Sequence, residues 1–177
     1  DKLQKSFPMT DYGSIPTNVA PPLPPTMKQA LIAEAFGTCI LVQVGCGGLA
    51  VGLYMGVLSG LWQMAVIWLL GAVLAINAVG NISGAHLNPA VSLAFAVVRP
   101  HAFGWKKVLP YWGAQLLGAT IAGALNLAIF YSAIEGFEAE NGLKRGSGDS
   151  IRSASTFGDY WSLSPGVAGF LHAVFIE

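Results

Sequence analysis

Between Ser59 and Val98 the chain carries no charged residue at all, and this silence constrains the fold more than any motif does. The neighbouring stretches are nearly as bare. From Gln29 to Leu58 the one charge is Glu34, and Val108 to Ile134 has none. A bilayer-spanning helix needs about 20 predominantly apolar residues, and each stretch exceeds that. Only 10% of the chain is charged and 54% is hydrophobic, whereas soluble domains average about 25% charged residues. So few charges cannot cover a water-facing surface, and the fold class expected is an all-α membrane protein with several spans.

The remaining charges are unevenly placed. Lys2, Lys5, Lys28, Arg99, Lys106 and Lys107 flank the apolar stretches on what would be one side. Lys144, Arg145 and Arg152 share a later segment with Glu135, Glu138, Glu140, Asp149 and Asp159. Loops rich in Lys and Arg stay in the cytoplasm, which puts the N-terminus there. A formal net charge of zero gives no reason to expect nucleic acid as a partner.

Residues 1–26 read as a disordered, Pro-rich cytoplasmic tail ending in Pro21-Pro22-Leu23-Pro24-Pro25, with no apolar core of the kind a signal peptide has. The first membrane helix is expected from Met27 to about Leu53 and the second from Leu61 to Val79. Gly80 to Leu87 then reads as irregular backbone, and Asn88-Pro89 opens an apolar stretch to Val98. That stretch is too short to cross a bilayer and suits a re-entrant segment. A third spanning helix is expected from Val108 to about Tyr131. Residues 132–165 read as an extracellular loop, and 166–177 as the start of a fourth helix.

Asn88-Pro89 has a clear mechanism as a helix start. Pro tolerates the first helical position, where an N–H would be unpaired anyway, and Asn caps well. A half-helix starting inside the membrane aims its positive dipole end at the bilayer centre. Irregular backbone at such depth survives only where it is buried in protein or lines a wet cavity. Gly84, Ala85 and His86 are therefore expected to offer carbonyl acceptors, and Asn88 an amide donor, along a narrow polar path.

Other readings are blander. Cys39 and Cys46 lie seven residues apart in one apolar stretch, about 10 Å along a helix, too far for a disulfide. Gly45-Cys46-Gly47-Gly48 lacks the lysine of a phosphate loop. His101 and His172 have no clustered ligand partners, so no metal or other cofactor is expected. Asn81-Ile82-Ser83 fits a glycosylation acceptor but falls on the cytoplasmic side of the re-entrant loop. Gln115, alone in an apolar helix, is expected to hydrogen-bond across the bundle. The embedded region holds no nucleophile–base pair and no paired carboxylates, which disfavours an enzyme.

Ser83-Gly84-Ala85-His86-Leu87-Asn88-Pro89-Ala90-Val91 resembles the first signature loop, the NPA motif, of the major intrinsic proteins, the aquaporin family. Ala33-Glu34-Ala35-Phe36-Gly37-Thr38 resembles that family's first helix and Ala114-Gln115-Leu116-Leu117-Gly118-Ala119 its third. The resemblance covers about residues 29–177. It implies an aquaporin-like bundle of tilted helices with a re-entrant half-helix, of which residues 27–131 are the first inverted repeat. It also implies a loop-supporting role for Glu34, whose alternative is a protonated carboxyl facing a neighbouring helix. Ala173-Val174-Phe175-Ile176-Glu177 echoes the placement of that Glu in the second repeat.

Two features resemble the aquaglyceroporin, or glycerol-facilitator, branch. Ala65-Val66-Ile67-Trp68 is similar to a stretch whose Trp forms part of the outer constriction, which makes Trp68 pore-lining; the alternative is an interfacial aromatic. Arg145-Gly146-Ser147 and Ser155-Thr156-Phe157-Gly158-Asp159-Tyr160 resemble the branch's loop before the fourth helix. The resemblance implies a passive channel for glycerol, other small neutral solutes and water, assembled as a homotetramer in the lipid bilayer. The alternatives are a water-selective aquaporin or a non-conducting structural subunit. A second Asn-Pro-Ala loop and its arginine are not in the sequence, so it is expected to be part of a longer protein.

Overall fold

A computed structural model describes residues 23–158. Helix α1 (Met27–Met55) is followed by α2 (Leu61–Ser83), the short α3 (Pro89–Val98), α4 (Val108–Glu140) and a final turn, α5 (Ile151–Ala154). Among the described residues α1, α2 and the 105–140 segment are long and apolar enough to span a membrane. At 1.5 Å per residue α1 is about 43 Å long, well beyond the ~30 Å hydrocarbon core, while α3 is about 15 Å, half of it.

Local chemistry sets the starts. Thr26 caps α1 in a reciprocal box: its amide donates to Gln29 Oε1 at 2.8 Å and its hydroxyl oxygen accepts from Gln29 N at 3.3 Å. The ends differ from the sequence expectation. Helix α2 continues through Gly80-Asn81-Ile82 to Ser83, where irregular backbone was expected from Gly80. In hydrocarbon an unpaired backbone group costs more than the roughly 1 kcal/mol of a helical glycine, so the ladder persists until Gly84. Helix α4 runs to Glu140 instead of ending near Tyr131. Its last turns are rich in Ala, Glu and Ile, which suit a helix outside lipid as well as within it. The loop therefore begins at Asn141-Gly142, with Gly142 at φ 65°. The expected fourth helix, with His172 and Glu177, lies outside the described residues.

The packing is inverted relative to a water-soluble bundle. Fully buried positions hold small or polar residues, including Ala50, Ala75, Ala122, Glu34, Gln115 and Asn126. Leu69, Leu70, Leu74, Leu116 and Ile129 are exposed. That arrangement needs an apolar surrounding, and the chain is an integral, multi-pass membrane protein. Helix α1 packs along both α2 and α4, and α3 rests on α4. The closest approach is at Gly118, where a Cβ would land on the backbone carbonyl of Ala35. Small residues permit such contact, which is the main attractive term between helices in lipid.

Candidate solute path and its clamp

The segment between α2 and α3 is held by its amides. Glu34, fully buried on α1, accepts from His86 N at 2.9 Å through Oε1 and from Leu87 N at 2.8 Å through Oε2. In a trans peptide the C=O and N–H point in opposite directions. The plane carrying His86 N–H also carries the Ala85 carbonyl, and the plane carrying Leu87 N–H carries the His86 carbonyl. Drawing both amides to Glu34 turns both carbonyls away from it. Among the described residues no group donates to the carbonyls of Gly84, Ala85 or His86. Ala85 and Leu87 sit at φ 49° and 54°, a region that costs L-residues about 1–3 kcal/mol and persists only where surroundings enforce it. Gly84, at φ 87°, starts the turn without that cost.

The clamp extends through three helices. Gln115 Nε2 on α4 donates to Glu34 Oε2 at 2.8 Å and to Ser92 Oγ on α3 at 2.9 Å. Ser92 has one proton, directed at Asn88 O, and its Oγ lies 3.2 Å from His86 Nδ1. The His86 tautomer with hydrogen on Nδ1 satisfies both. Tyr111 Oη donates to Ser83 O and Trp112 Nε1 to Pro89 O, each at 2.9 Å. Most of these bonds pair a group that hydrocarbon could not satisfy, although Gln115 Oε1 is buried without a hydrogen-bond partner among the described residues.

Asn88 caps α3: its Oδ1 accepts from Ala90 N at 2.7 Å, with Pro89 in the first turn. Because the oxygen is used inward, the amide NH₂ is left as a donor on an exposed residue. The arrangement thus offers a row of acceptors followed by a donor at a helix N-terminus, suited to molecules that both give and take hydrogen bonds. The His86 ring is not part of that row. It is buried against Phe95, Phe103 and Tyr111, with ring centroids 4.5, 4.5 and 5.2 Å away, so His86 contributes backbone to the row.

Trp68 lies elsewhere. It borders a cavity of about 500 Å³ with Val42, Cys46 and Thr120 and with residues 155–158 of the loop after α4. Its indole packs flat against α1 at Gly45, where a Cβ would collide with the ring. A second cavity, of about 370 Å³, is bordered by Ser83, Gly84, His86, Tyr111 and Lys107 beside Thr26. Trp68 and Ser83 stand about 22 Å apart along α2 at helical rise, so the two cavities belong to opposite ends of the bundle.

The loop that reaches Trp68 is tied down twice. Arg145 pairs with Glu138 at 2.8 Å and stacks over Tyr131 at 5.3 Å. Donating to the Glu138 carboxylate holds the Arg145 guanidinium above its ordinary pKa. Ser153 Oγ donates to Glu138 Oε1 at 2.8 Å. From α1, Tyr54 Oη donates to Ser153 O and lies 2.6 Å from Thr156 Oγ1, which must then be the donor between them. Sequence reading singled out Glu34, Trp68, Gly84, Ala85, His86, Asn88 and Pro89, but not Ser92, Tyr111, Trp112, Tyr54 or Ser153. A serine four residues after the capping Asn was the only local sign of the first of these.

Residues 24–158 match the model of the family described as Major intrinsic protein. The chain belongs to that family. It is 35% identical to a glycerol uptake facilitator protein of Haemophilus influenzae over 151 residues, 85% of this chain and 56% of the relative. To the glycerol uptake facilitator protein of Escherichia coli it is 38% identical over 135 residues, 76% of the chain and 47% of the relative. To aquaporin NIP1-1 of Oryza sativa it is 45% identical over 100 residues, 56% of the chain and 34% of the relative. The likeness to glycerol uptake facilitator proteins supports the aquaglyceroporin branch for this major intrinsic protein. The chain spans about half the length of the curated relatives it matches.

Proposed function

We propose that this major intrinsic protein contributes the first half of a passive channel for glycerol and other small neutral solutes, with water, in a lipid bilayer. The observation that carries the reading is the clamp of Glu34 on the amides of His86 and Leu87. It fixes acceptors along the loop and leaves the Asn88 amide as the donor beyond them. A hydroxylated solute satisfies both kinds of group in turn, and the positive end of α3 opposes cations. Trp68 supplies a flat carbon surface for the hydrocarbon edge of a polyol. The relatives named glycerol uptake facilitator agree with that solute class. On this reading the N-terminus is cytoplasmic and four copies assemble around separate paths.

Stopped-flow light scattering on vesicles holding the full-length protein tests it. Glycerol permeability well above that of empty vesicles is the expected result. Vesicles permeable to water alone would support instead the water-selective reading. Vesicles permeable to neither would leave a structural subunit.

A further inference from the structure

We propose that Glu138 and Tyr54 are positioning residues for solute discrimination, holding the 153–158 segment as the third wall of the Trp68 cavity. The inference rests on the channel reading above and adds to it a part of the protein outside the re-entrant loop.

The geometry is a double tether. Glu138, on the last turn of α4 and 8% exposed, receives Ser153 Oγ on one oxygen and the Arg145 guanidinium on the other. Tyr54, at the end of α1, reaches the Ser153 carbonyl and the Thr156 hydroxyl. Two helices therefore meet at Ser153, and α1 also holds Thr156. Ser153 and Thr156 are buried at 4% and 2% exposure, although they belong to a short surface segment. Loops of that kind are ordinarily the mobile part of a fold, and here the mobility is removed just before Phe157 and Gly158.

Those two residues border the cavity that Trp68 borders. Across the space, Trp68, Val42 and Leu49 present carbon, while Ser155 and Thr120 bring hydroxyl oxygens whose protons are directed at the carbonyls of Arg152 and Leu116. Both hydroxyls thus remain acceptors. A solute with one carbon edge and one hydroxyl edge matches these walls, and the distance between them sets how long a polyol can pass. The segment's own bonds, from Ser153 Oγ to Ser150 O and from Phe157 N to Ala154 O, shape it locally, while the tether to Tyr54 and Glu138 sets where it stands against α1 and α4. Releasing the tether widens the passage without touching its surfaces.

The test uses the full-length protein in vesicles, with stopped-flow permeability to glycerol and to the four-carbon polyol erythritol, for wild type, Tyr54→Phe and Glu138→Gln. The ratio of the two permeabilities is the readout. A variant that merely folds less well lowers both fluxes together and leaves their ratio alone. The expected outcome is a fall in the glycerol preference of about three- to tenfold in both variants, a partial loss of the roughly 10- to 200-fold that one methylene-sized difference allows a pocket to discriminate. Hydrogen exchange across residues 151–158 is expected to speed up in parallel. Wild-type glycerol flux with an unchanged ratio in Tyr54→Phe overturns the inference and spares the channel reading. An unchanged ratio with faster exchange overturns it too, since the segment would then be loose without consequence. Absence of glycerol flux in wild type overturns both. Should Glu138→Gln not fold, Tyr54→Phe, which removes one hydroxyl, decides alone.

Discussion

Glu34 Oε2 and Gln115 Nε2 meet at 2.8 Å, joining α1 to α4 through side chains that are both essentially unexposed. The same oxygen accepts from Leu87 N, so one carboxylate serves a helix and a loop at once. Glu34→Gln replaces one of its two acceptor oxygens with an NH₂ that faces existing donors. Leaving one or two buried donors unpaired should cost about 2–4 kcal/mol. Thermal unfolding in detergent should show a clearly lowered midpoint, and a wild-type midpoint would mean the clamp is not structural.

Asn88 combines two jobs that a single substitution can separate. Asn88→Asp keeps the oxygen that accepts from Ala90 N and removes the amide donor. Asn88→Ala removes both and should lose about 1 kcal/mol of helix capping. The aspartate variant is expected to hold its thermal stability more nearly while losing most solute flux. Equal flux in Asn88→Asp and wild type would show that the donor is idle.

Gly118 and Gly113 lie on the same helix and predict opposite results. A Cβ at Gly118 meets the Ala35 backbone, whereas at Gly113 nothing stands within 4 Å. Gly118→Ala should force α1 and α4 apart and cut the yield of monodisperse protein in size-exclusion chromatography. Gly113→Ala should be neutral or raise stability by up to about 1 kcal/mol, the helical preference for Ala.

Gln43 and Asn126 form a second cross-helix pair. Gln43 Nε2 donates to Asn126 Oδ1 at 2.6 Å, and Asn126 Nδ2 returns a longer bond to Gln43 O at 3.3 Å. Asn126 is fully buried. In a double-mutant cycle with Gln43→Leu and Asn126→Leu, the coupling should be about 0.6 kcal/mol, the average for such pairs in membranes, and no more than about 1.7. A coupling of zero in unfolding measurements would assign the contact no energetic role.

The parts of the fold legible in the sequence are those set by neighbours along the chain. Asn88-Pro89 announces its own helix start, and uncharged stretches announce spans. The boundary at Ser83 is less legible, because a helix in lipid runs on through a Gly-Asn pair that would weaken it in water, and the boundary at Glu140 because charged helix formers carry α4 past its apolar stretch. The clamp was half legible. Glu34 stood out as a lone charge, but its donors lie 52, 53 and 81 residues away, and nothing local couples them. Tyr54 and Ser153 are ordinary residues until the fold brings them together across 99 positions.

Those same separations have a consequence for biosynthesis. When α1 leaves the ribosome and enters the membrane, its Glu34 has no donor to meet, because His86, Leu87 and Gln115 have not yet been made. Glu34 lies two turns inside α1, so inserting it costs less than the roughly 2.5–3.5 kcal/mol of a charge at a helix centre, and the apolar residues of α1 must offset that until translation passes residue 115. The first helix is thus inserted ahead of the α4 residue that completes its pairing, and a chain arrested between them would hold an unpaired acid within the membrane.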